Sequence, residues 1–180
     1  MRKRIQAWAV AVAGLITVSG VALPSQANAT DYGWQFEGFN NHRCIGVNGA
    51  KNVNGRQMEM HDCYVDLTDT FFAWRPTSAG YYRLINGYGK CMNVSGASRA
   101  SGIKIITYTC GGSGTLNDQW YPEMAARNYG GRDWYRLRSR NNDAMCLNVK
   151  GNSTAAGADL IQYTCNDESH NEWFTWYFND

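Results

Sequence analysis

The chain has 180 residues, 17 Lys and Arg against 15 Asp and Glu, and a formal net charge of +2. That length allows one domain with a real core, and that balance excludes the strongly basic surface of a nucleic-acid binder. The N-terminus comes first in chain order. Arg2, Lys3 and Arg4 precede an apolar run from Ala7 to Leu23, which Pro24 and Ser25 break before Ala27-Asn28-Ala29. Basic cluster, apolar stretch and small-residue site are the parts of a secretory signal, so residues 1–29 read as a leader cleaved after Ala29. The apolar run is short for a membrane anchor. The leader carries three basic and no acidic residues, leaving 14 basic against 15 acidic in residues 30–180, a net charge of −1. A single extracellular domain over 30–180 is expected, without a membrane span.

Cysteines then mark out a repeat. Cys44 and Cys63, Cys91 and Cys110, and Cys146 and Cys165 are each 19 residues apart. Other residues keep the same register. One position after the first Cys stand Ile45, Met92 and Leu147; three after stand Val47, Val94 and Val149. Glycines follow at Gly49, Gly96 and Gly151, then at Gly55, Gly102 and Gly157. Each copy ends near a tryptophan, Trp74, Trp120 or Trp173, and these three are expected to fill a pseudo-threefold interior. Such register makes a triplication, with copies at about 32–76, 79–122 and 128–178. Six cysteines allow 15 pairings; the symmetry selects pairing within each copy. The interval from Cys91 to Cys146 exceeds that from Cys44 to Cys91, which places extra residues around Glu123 to Arg132 and Asn141 to Asp143, both expected as surface loops.

Within a copy the signals are strand and turn. Cys91-Met92-Asn93-Val94 and Cys146-Leu147-Asn148-Val149 are short runs ended by Gly, and Ile103 to Thr109 is β-branched and apolar. No segment carries an apolar stripe of helical period. An all-β threefold architecture follows. The sequence lacks Cys-x-x-Cys, and His42, His61 and His170 fall out of register, so neither metal nor cofactor is expected.

Cys-x-Asn-Val-x-Gly, a second Gly, Tyr-x-Cys and Asn-x-x-Trp, best kept in Cys91 to Trp120, together resemble the ricin B-type lectin repeat. The resemblance implies a β-trefoil of three four-stranded copies, each with a possible sugar site. Such a site has an acidic residue two after the first Cys, a Gln fifteen after, an aromatic seventeen after, and an Asn and a bracing Gln before the Trp. Carried over, the second copy offers Asn93, Tyr108 and Asn117, with Asp118 as brace and Ile106 replacing the Gln. The third offers Asn148 and Tyr163, with Ile161 replacing the Gln and His170 and Asn171 at the polar and bracing positions. The first has Gly46, Glu59, His61 and Phe72 at these places and is expected to be dead.

Plainer readings stand beside these. Asn93 and Asn148 could serve turns, and Tyr108 and Tyr163 could be strand aromatics. Arg136, Arg138 and Arg140 share one strand face, expected to be merely solvated. Glu59, Glu123, Glu168 and Glu172 form no recognisable catalytic pair. The expectation is therefore a monomeric glycan or polysaccharide binder, not an enzyme. The alternative is a trefoil with vestigial sugar sites that binds a protein partner, as an inhibitor or toxin-associated subunit.

Overall fold

The computed structural model describes residues 33–178 except 50, 64–69 and 79, so the leader lies outside the described residues. The first copy supplies β1 (Trp34–Gly38), β2 (Cys44–Val47), β3 (Arg56–His61) and β4 (Phe72–Pro76). The second supplies β5 (Tyr82–Asn86), β6 (Lys90–Val94), β7 (Ile103–Thr109) and β8 (Trp120–Tyr129). The third supplies β9 (Arg132–Ser139), β10 (Asn142–Val149), β11 (Ala158–Thr164) and β12 (Phe174–Phe178). Among the described residues no helix is long and apolar enough to cross a membrane.

Pairing closes the outer strands of the copies into a ring, β1–β4–β5–β8–β9–β12 and back to β1. The inner strands form the hairpins β2–β3, β6–β7 and β10–β11, and β3, β7 and β11 pair with one another in a triangle over the ring. This is a β-trefoil, a six-stranded barrel capped by three hairpins. Closure gives every ring strand a partner on both sides.

Equivalent positions follow from register. Trp34 faces Phe72, Tyr82 faces Trp120, and Tyr135 faces Phe174. Phe72, Trp120 and Phe174 are therefore the threefold-related aromatics, and each is essentially fully buried. They pack with Phe36, Leu84 and Leu137 and with Ile45, Met92 and Leu147 in one core. The expectation that Trp74, Trp120 and Trp173 occupy this interior holds for Trp120 alone. Trp74 sits two residues further along its strand, partly buried against the core. Trp173 precedes Phe174 and packs outside the core cluster, against Phe39 and His170. Any large aromatic can fill the axial position, so tryptophan was the wrong landmark.

The second glycine of each copy has a backbone reason. Gly55, Gly102 and Gly157 have φ of 82°, 78° and 77°, the left-handed region that only Gly enters freely. In that conformation their N–H groups donate to Thr107, Gln162 and Met60 carbonyls of the neighbouring copy, at 2.8, 2.9 and 2.8 Å. The glycines thus stitch the hairpin triangle together. Each disulfide joins the two cysteines of one copy, Cys44–Cys63, Cys91–Cys110 and Cys146–Cys165, at a Cα separation of 5.0 Å.

The main insertion is no irregular loop. Residues 123–132 extend β8 and β9 into a long hairpin that turns at Gly130-Gly131. Arg140 and Asn141 form a tight turn, and Asn142 and Asp143 already belong to β10, which has a register shift between Asn142 and Cys146. Polar composition concealed the pairing, because a two-stranded ribbon with one solvated face has few apolar positions.

The arginine stripe is not merely solvated either. Arg136 is buried and paired with Glu123 and Asp167. Arg138 reaches Glu123 at 2.7 Å, and Arg140 donates to Gln119 while lying over the Tyr81 ring.

Candidate functional site

The hairpins β6–β7 and β10–β11 each turn one set of side chains outward. Strand alternation puts Met92, Val94, Ile105 and Leu147, Val149, Leu160 into the core, so Asn93 and Asn148 face the other way. Cross-strand pairing sets Asn93 opposite Ile106 and Cys91 opposite Tyr108; Asn148 stands opposite Ile161 and Cys146 opposite Tyr163. The tyrosines are thus diagonal neighbours of the asparagines on one face. Each group borders a shallow depression, about 380 Å³ in the second copy and about 460 Å³ in the third. Tyr108 and Tyr163 are about half exposed, at 47% and 50%, whereas Asn93 and Asn148 are buried at the base.

The loop before β8 completes the second group. Asn117 Nδ2 donates to Val94 O at 2.9 Å and to Asn93 Oδ1 at 2.7 Å. Because a backbone carbonyl only accepts, the Val94 bond fixes the Asn117 amide, and the atom of Asn93 facing it must be oxygen. Asn93 therefore has its acceptor engaged and its N–H donors left for a ligand. Beneath, Asp118 is fully buried and accepts from Gly111 N–H at 2.8 Å and Arg83 Nε at 2.9 Å.

The third copy repeats the loop-Asn contact one residue out of the expected register, but here Asn148 Nδ2 also donates back to Asn171 Oδ1 at 3.2 Å, so its amide donors are not left as those of Asn93 are. Asn171 Nδ2 donates to Val149 O at 3.1 Å and to Asn148 Oδ1 at 2.9 Å, which makes Asn171 the counterpart of Asn117. Glu172 is the brace: it is fully buried and accepts from Asn166 N–H at 3.0 Å, with Arg136 Nη1 3.7 Å away. Burial raises its carboxyl above the ordinary range, against the opposing pull of that hydrogen bond and of Arg136. His170 is not at the depression. Its ring packs on Trp173 at 4.2 Å and Phe39 at 4.8 Å. The misplacement of His170 and Asn171 arose from aligning Trp173, instead of Phe174, with Trp120.

The family described as ricin-type beta-trefoil lectin domain-like matches residues 6–108, 72–163 and 117–177. The chain belongs to this family. Solved structures share its fold. A designed threefold-symmetric protein, ThreeFoil, superposes with a TM-score of 0.72 at 23% identity, covering 81% of this chain and 97% of that one. The exo-beta-1,3-galactanase 1,3Gal43A from Clostridium thermocellum gives 0.71 at 18% identity over 82% of this chain, but only 30% of its own. The C-half of the earthworm R-type lectin, solved with GalNAc, gives 0.59 at 11% identity over 82% and 99%. No curated protein matches the chain.

The first ricin-type copy departs from this pattern in its structure as in its sequence. Gly46 pairs with Glu59 and Cys44 with His61, but the His61 ring leans over Gly46, so close that a Cβ there would collide with it. Glu59 is held by Asn48 Nδ2 at 2.7 Å and lies 3.3 Å from His61 Nε2. The space where the other copies keep an amide is filled. Phe72 belongs to the core, and Thr70, bonded to Gln35, is the counterpart of Asp118.

Several lining residues escaped sequence reasoning. Thr115 borders the second depression; Lys150, Asn152, Asn166 and Ser169 border the third. Thr115, Asn166 and Ser169 lie in loops whose lengths differ between copies, and Lys150 and Asn152 lie in a turn of constant length whose residue types change from copy to copy (Asn48, Ser95 and Lys150 at one position), so the repeat gave them no signal.

Proposed function

We propose that this protein is a secreted, lectin-like carbohydrate binder that uses its second and third copies and performs no catalysis. The observation that carries the reading is the recurrence, on two hairpins, of a buried Asn, a half-exposed Tyr and a loop Asn around a depression. A tyrosine face suits the C–H face of a pyranose, and in the second copy the Asn93 amide donor suits a ring or hydroxyl oxygen. Ile106 and Ile161 give each depression an apolar wall in place of a further polar arm. Neither depression is lined by Asp or Glu, whereas glycoside hydrolysis calls for two carboxylates flanking the bond. The earthworm R-type lectin C-half, which shares this fold and was solved in complex with GalNAc, agrees with this assignment. Two shallow sites on one rigid domain gain by engaging one glycan together.

The test is a glycan and polysaccharide screen of the oxidised protein beside the Tyr108→Ala/Tyr163→Ala double variant. Binding to one or more glycans is expected, with a loss of about tenfold or more in the folded variant. Undiminished binding by the variant would remove the two copies from the reading. Absence of binding by both proteins would favour the protein-partner alternative.

A further inference from the structure

The β8–β9 hairpin has no counterpart elsewhere in the ring. The β4–β5 pairing ends at Pro76 opposite Tyr82, whereas β8 and β9 run on past the barrel to pair Tyr129 with Arg132. One face of this extension is anchored. Trp134 is buried and meets Phe39 edge-on at 4.9 Å, and Tyr129 packs on Phe39 at 5.5 Å. Strand alternation turns Asp133 and Tyr135 away from that anchor. There, between the hairpin and β12, lies a cleft of about 630 Å³, larger than either depression described above.

Its walls are chemically mixed. Tyr135 and Trp176 lie over one another, centroids 4.3 Å apart and 33° from parallel, and both line the cleft. Arg132, Asp133, Asn128 and Thr175 supply polar groups around them. Two of these are fixed in place. Arg132 Nη1 donates to Glu37 Oε2 at 2.7 Å, and Glu37 is itself buried with its other oxygen 2.8 Å from His42 Nδ1. Asp133 Oδ1 accepts from Asn128 N–H at 2.8 Å, which leaves Oδ2 for a ligand.

We propose that this cleft is a third carbohydrate site, formed by the inserted hairpin and independent of the trefoil copies. The proposal rests on the reading of the protein as a glycan binder. Aromatic faces receive the C–H side of a sugar. A fixed guanidinium donor beside a fixed carboxylate acceptor matches hydroxyls, which both donate and accept. Opposite charges on the same rim disfavour an acidic polymer, and the polar rim disfavours a purely apolar ligand. A neutral sugar residue or short oligosaccharide is the class that satisfies both the aromatic and the polar parts of the cleft.

Titrating isotope-labelled, oxidised protein with β-1,3-galactotriose, N-acetylgalactosamine and xylotriose, and following backbone amides by NMR, separates the sites. Saturable shifts at residues 128–135 and 175–177 are expected with at least one of the sugars. They should persist in Tyr108→Ala/Tyr163→Ala with affinity changed less than about twofold, and weaken about tenfold in Trp176→Leu. Should Trp176→Leu fail to fold, Asp133→Ala, an exposed rim position, is expected to weaken them in the same way. Shifts confined to the β6–β7 and β10–β11 hairpins would overturn the cleft site and leave the copy sites standing. Shifts at the cleft alone would uphold it and overturn the copy sites. Silence at every position would overturn both.

Discussion

Glu172 shows how one side chain couples the third site to stability. It lies fully buried under the Asn148–Asn171 pair, and burial pushes its carboxyl above the ordinary value of about 4.3. A raised folded-state pKa means that this group favours the fold most below its unfolded pKa. That contribution is lost as pH rises through the folded value. Glu172→Gln keeps the shape and cannot ionise. The melting temperature of the wild type minus that of Glu172→Gln should therefore be largest near about pH 4 and shrink toward about pH 8. Asp167 works in the opposite direction, since its hydrogen bond to Arg136 lowers its pKa, but it is present in both proteins and largely cancels in the difference. Scanning calorimetry across that range is the check, and a gap independent of pH would remove Glu172 as the cause.

At the scale of single elements, the hairpins turn on positions where the backbone leaves little choice. Gly102 has φ of 78° and its N–H bonds the Gln162 carbonyl, yet nothing stands within 4 Å of where a Cβ would be. The cost of Gly102→Ala is then almost purely conformational, about 1–2 kcal/mol. Chemical denaturation should show a lower midpoint with an unchanged m-value; no change in midpoint would mean that the hairpin relaxes to a negative φ. This position was legible in the sequence because it is dictated by backbone geometry and recurs in all three copies. The disulfides and the Asn–Tyr diagonals were legible for the same reason: strand pairing fixes their spacing. His170 was expected at the polar position and Asn171, which does border the third depression, at the bracing one, because a one-residue difference in a loop is invisible when the core accepts either Trp120 or Phe174. The cleft was hidden for another reason. Its hairpin occurs once, so no repeat register announced it, and its polar strands looked like loop.

Across the whole molecule no copy owns a core. The axial aromatics Phe72, Trp120 and Phe174 come from three different copies. The ring also closes only when β12 pairs with β1, from Trp34 opposite Phe178 to Gly38 opposite Phe174. The hairpin triangle adds β3–β7, β7–β11 and β11–β3 contacts that all cross copy boundaries. A copy detached from its neighbours would expose its share of the axial core and three strand edges, so unfolding should be all-or-none even though the sequence is tripartite. Replacing one disulfide tests this. Each closes a span of 19 residues, worth about 3 kcal/mol in the chain-entropy account. Cys91→Ala/Cys110→Ala is expected to lose about that much, with its heat-capacity trace still a single peak whose calorimetric and van't Hoff enthalpies agree. A separate early transition confined to β5–β8 would instead mean that the second copy melts on its own, with the ring and triangle only loosely coupling the three.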